Sequence, residues 1–129
     1  MRIATIIART LLGLVFVVFG LNGFLHFIPM GPPPPPESPV GHFFAAFAST
    51  GYLQVVAVCQ VVGGLLLLVN FLPVLGLTIL CPIIFNIIVF HATLARNNFG
   101  PAVIVSLLTV YLLWAYWDNY RALFRQPAP

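Results

Sequence analysis

Four apolar stretches run along the chain, at about 3–28, 52–69, 74–94 and 102–117. Between them, prolines, glycines and polar residues cluster. About 20 apolar residues cross a bilayer at a rise near 1.5 Å each. Each stretch therefore reads as a spanning helix. Pro29 closes the first stretch, and 30–39 (Met-Gly-Pro-Pro-Pro-Pro-Pro-Glu-Ser-Pro) follows it. Consecutive prolines favour a stiff polyproline II spacer and exclude a helix there. Ser38 before Pro39 is a helix start, a capping hydroxyl followed by proline at the first helical position. Val40, Phe43, Phe44 and Phe47 then fall at i, i+3, i+4 and i+7, one helical face. This segment is too short to span. It reads as an amphipathic helix lying in the membrane interface or capping the bundle, and Gly51 ends it. Asn70-Phe71-Leu72-Pro73 is a tight turn that makes spans two and three antiparallel neighbours. Pro82 interrupts span three, which neighbouring helices can tolerate. Ala95 to Pro101 is a polar turn.

Composition narrows the class further. Of 129 residues, 61% are hydrophobic and 5% charged, with mean hydropathy +1.09. So few charges cannot cover a soluble domain. That excludes a soluble enzyme and a disordered tail. The net charge of +3 comes from scattered arginines, not from a basic patch, which excludes a nucleic-acid binder. The expected fold is an all-α membrane protein, 1–129 as a single domain. It is a four-transmembrane-helix bundle with a short amphipathic interfacial helix between spans one and two. Arg2 to Phe27 is too long and lacks the small-residue cleavage site of a signal peptide, so it reads as an uncleaved first span. Arg2, Arg9, Arg121 and Arg125 lie on the side of the termini, and Arg96 and Glu37 on the other. The positive-inside rule places both termini in the cytoplasm. Trp114, Tyr116, Trp117 and Tyr120 would form an aromatic belt there.

Polar side chains inside spans are costly in lipid and should face the interior. Arg9 of span one and Asp118 at the end of span four lie at similar depth, and an ion pair between them would join the first and last helices. Gln60 and Asn86 lie at matching depth across the tight turn, so an interhelical amide bond is expected, or a polar contact to a ligand. Gly63 and Gly64 would let a neighbouring backbone approach. Toward the opposite mouth lie Asn22 and His26, four residues apart, with His91 and His42. There a quinone head group or another small ligand is the candidate, against structural hydrogen bonds to loop carbonyls. No residue is assigned to a metal, because no carboxylate or thiolate accompanies the histidines. Cys59 and Cys81 differ in depth by about 6 Å and read as small buried hydrophobes rather than a disulfide. No nucleophile with a base and an orienting group appears, so no catalytic residue is assigned.

Several blocks resemble the DoxX-like family of small bacterial membrane proteins. They are 8–29, with Asn22 and His26; Gly51-Tyr52-Leu53 followed by 60–68, from Gln60; 81–91, from Cys81 through Asn86 to His91; and the aromatic Tyr111 to Tyr116. The match spans nearly the whole chain. The resemblance implies an acidic residue in many relatives where the neutral Gln60 stands here. The resemblance implies a multi-pass protein of the bacterial inner membrane. Some relatives are similar to the small subunit of a thiosulfate:quinone oxidoreductase. The expected role is thus a non-catalytic subunit or scaffold of a quinone-linked redox assembly. Its partners would be the lipid bilayer, a membrane redox protein and further copies of the chain. The alternatives are a small-solute permeation unit and a purely structural module.

Overall fold

A computed structural model describes residues 2–29, 31–96 and 99–125. Met30 of the proline segment, the centre of the polar turn at 97 and 98, and the tail past 125 lie outside the described residues. All regular elements among the described residues are helical: α1 (Arg2–Leu25), α2 (Pro39–Thr50), α3 (Tyr52–Leu68), α4 (Pro73–Thr93), α5 (Gly100–Ala115) and α6 (Trp117–Tyr120), then a 3₁₀ turn at Arg121–Phe124.

The helix ends follow local chemistry. Ser38 Oγ accepts from Gly41 N at 3.0 Å and donates to Pro35 O at 2.6 Å, so the capping hydroxyl ties α2 to the proline segment. Gly51 sits at φ 80°, a left-handed conformation that glycine adopts without strain, and α2 and α3 meet there at 82°. α1 stops at Leu25, short of the expected boundary near Ile28. His26 takes φ 51°, and the Asn22 side chain accepts from Ile28 N at 2.7 Å, so the chain turns before Pro29. α3 ends in a Schellman-type cap. Phe71 N bonds Leu66 O and Asn70 N bonds Leu67 O, with Asn70 at φ 57°. α4 runs on through Pro82.

Four helices close into a ring. α1 makes its longest contact with α3, α3 packs on α4, and α5 touches both α4 and α1. Leu12, Leu67, Leu77, Leu80 and Leu112 fill the interior. The adjacent Gly63 and Gly64 serve two interfaces, because neighbouring positions on a helix point about 100° apart. A Cβ on Gly64 would lie 2.8 Å from Gly13 O of α1, and one on Gly63 would lie 2.8 Å from the Leu80 side chain of α4. The expected close approach thus occurs on two faces. Large apolar side chains such as Leu14, Val58, Phe85, Ile104 and Leu107 point outward. That polarity suits lipid and not water.

α1 and α4 are each long and apolar enough to cross a membrane. α3 and α5 reach that length only when joined to the segments bent from them, α2 at 82° and Trp117–Phe124 at 72°. α2 lies across one end of the ring. Phe43 and Phe44 stand 5.1 and 5.6 Å from Phe90 of α4, and Phe47 stacks 4.5 Å from Tyr52.

Candidate functional site

The residues expected at the mouth do not converge. Asn22 is buried, but its carbonyl oxygen is engaged by Ile28 N, so it holds the end of α1. His26 and His42 are exposed. His91 is half-buried between Phe90 and Phe99, its ring 5.2 and 6.1 Å from theirs. Its Nδ1 is fully buried and has no hydrogen-bond partner among the described residues. Among the described residues no group of three or more His, Cys, Asp or Glu could hold a metal ion. Cys59 and Cys81 are free.

The amide pair is also separated. Gln60 is half-buried and faces α1: a Cβ on Gly20 would come within 3.0 Å of Gln60 Cβ. Asn86 is exposed on α4, and its Nδ2 donates to Pro82 O of its own helix at 2.9 Å. The two side chains point in different directions, Gln60 toward α1 and Asn86 to the outside of α4. They do not line a common axis, and the ring interior is packed with leucine, so a path through a single chain finds no support here.

Arg9 corrects a further expectation. It is only 8% exposed, and its Nη1 donates to Leu67 O and, at 3.4 Å, to Leu68 O. These are carbonyls of the last turn of α3, the negative end of the helix dipole. Asp118 instead lies 3.5 Å from Arg121 on the exposed surface. The expected bond between α1 and α5 is therefore one between α1 and α3. A helix terminus offers a buried guanidinium ready-made acceptors with no ionised side chain to desolvate.

Around Arg9 lies an open cleft of about 420 Å³ lined by Arg2, Thr5, Ile6, Arg9, Asn70 and Tyr116. Arg2, Thr5, Ile6 and Arg9 occupy i, i+3, i+4 and i+7, one face of α1. The turn after α3 contributes Asn70, and the end of α5 contributes Tyr116. That spacing of two arginines was visible in the sequence; the convergence of the other walls was not. Nearby, Tyr120 Oη donates to Val74 O at 3.0 Å and stands 2.8 Å from Thr78 Oγ1, tying the C-terminal segment to the start of α4. A second open cleft, about 540 Å³, lies at the other end between Pro34, Pro35 and Ser38 on one side and Leu94 and Arg96 on the other. None of the expected ligand-binding residues lines either cleft.

No family model, no curated protein and no solved structure matches the chain.

Proposed function

We propose that the chain is a multi-pass protein of the DoxX-like type that crosses the bacterial inner membrane four times with both termini in the cytoplasm. In this reading it serves as a non-catalytic subunit or scaffold of a quinone-linked redox assembly. One observation carries the membrane part: large aliphatic and aromatic side chains such as Leu14, Val58, Phe85, Ile104 and Leu107 cover the outside of the helix ring, although a leucine core already fills its interior. The scaffold part is supported by how the buried polar groups are used. Arg9 closes the end of α3, Asn22 closes the end of α1, and Thr109 Oγ1 bonds back to Val105 O. The quinone link is supported by the sequence resemblance and by the unused His91 Nδ1. Self-association belongs to the same reading. Asn86 is an exposed amide in the middle of α4, and in hydrocarbon such a group is best satisfied on another helix.

Two measurements test this. Reporter fusions at each terminus should both read cytoplasmic; opposite sides would exclude four crossings. The chain extracted in mild detergent from its native membrane should bring a redox-cofactor protein and stoichiometric quinone with it. Extraction with neither, under conditions that preserve other respiratory complexes, would refute the redox role.

A further inference from the structure

We propose that the cleft between Arg2 and Arg9 is an oxyanion site that takes a phosphate group, supplied by the headgroup of an anionic phospholipid. Two positive charges line it, and among the described residues no carboxylate does. Asp118 is turned to Arg121. Arg9 is nine-tenths buried, and a buried cation needs compensation. The α3 terminus supplies only about half an elementary charge. Both hydrogen bonds that Arg9 makes to described residues leave from Nη1. Its Nε and Nη2 donors remain for a ligand in the cleft. Arg2 lies two turns earlier on the same face, roughly 10 Å along the axis. The long side chains of both can close on one phosphate from above and below. Asn70 and Tyr116 add an amide and a phenol at the rim.

The cleft opens at the end of the ring where the helix termini gather. In a membrane this is headgroup level, where a deep arginine meets lipid phosphate. The proposal rests on the membrane reading only for the source of the phosphate; the oxyanion chemistry stands without it.

The test uses the full chain in neutral detergent, with native mass spectrometry and thermal unfolding as readouts. The probes are phosphatidylglycerol, phosphatidylcholine and inorganic phosphate. The expected result is one phosphatidylglycerol retained in preference to phosphatidylcholine, whose choline adds a cation to a positive cleft. Arg2→Gln should weaken retention about fivefold or more, the scale of a lost charge-assisted hydrogen bond. Arg2 is exposed, so this variant should still fold, whereas Arg9→Gln also uncaps α3. Arg9→Lys keeps the charge and should retain the lipid partially. If millimolar phosphate raises the unfolding temperature and displaces the lipid, the ligand is a soluble phosphate species. If phosphate does neither while phosphatidylglycerol stabilises, it is the lipid. Equal retention of both lipids, unchanged in Arg2→Gln, with no stabilisation by phosphate, would overturn the site while leaving the four-crossing reading to its own fusion test.

Discussion

The α1–α3 seam gives the sharpest test of the packing. In Gly64→Ala the added methyl would stand 2.8 Å from Gly13 O, 2.9 Å from Val17 N and 3.0 Å from Val17 Cγ2. Two of these atoms are backbone, which cannot rotate away. Ordinary contact begins near 3.4 Å, so the helices must part by several tenths of an ångström. A gap of about 0.5–1 Å forfeits a quarter to a half of each dispersion contact along the seam. Overpacking of this kind costs about 1–3 kcal/mol. Alanine's better helix propensity, about 1 kcal/mol over glycine in water, offsets little if α3 stays helical in the unfolded state. Gly63→Ala meets the Leu80 side chain at 2.8 and 2.9 Å and one backbone atom, Gly76 O, at 3.1 Å, a looser backbone contact than at Gly64, and should cost less. Gly100→Ala has open space around it and should fall within about 0.5 kcal/mol of the wild type. Unfolding in mixed micelles, titrated with a denaturing detergent and followed by near-UV circular dichroism, ranks the three. Gly13→Ala combined with Gly64→Ala should be less than additive, because both push the same seam. If Gly64→Ala matched Gly100→Ala, α1 and α3 would not be in backbone contact.

Other substitutions separate the polar contacts. Arg9→Met removes the charged donor from the Leu67 and Leu68 carbonyls, leaving Leu67 O only its 3.3 Å bond from Asn70 N among the described residues, and should cost about 1–3 kcal/mol in the same unfolding assay. Asp118→Asn removes only a surface pair and should change stability by less than about 0.5 kcal/mol, with no coupling to Arg9 in a double-mutant cycle. Tyr120→Phe deletes a donor to Val74 O and should cost about 1 kcal/mol. His91→Phe removes a buried nitrogen that has no partner among the described residues and should be neutral or stabilising. A marked loss would mean that His91 Nδ1 has a partner when the protein is in its membrane.

Depth and direction were not equally legible in the sequence. Depth follows from a fixed rise per residue, and it placed Gln60 and Asn86 at one level. Direction advances 100° per residue and needs a polar face to anchor it. α3, α4 and α5 are apolar nearly all round, so the sequence carries no such face, and Asn86 points outward while Gln60 points to α1. Where small residues break the uniformity, direction becomes readable: adjacent Gly63 and Gly64 implied close approach, and the two faces they occupy are 100° apart. The caps were legible because they are local. Ser38, Pro39 and Gly51 bound α2 as their chemistry dictates, and the Phe43 face packs on Phe90. Arg9 failed as a guess for a related reason. Charge complementarity selects a carboxylate from a sequence, but helix termini carry charge that no residue letter displays. A lone arginine in an apolar span should therefore be weighed first against the C-terminal carbonyls of its neighbours. Here those carbonyls hold Arg9 at the α3 end, and the charge they leave uncompensated faces the cleft that Arg2 also lines.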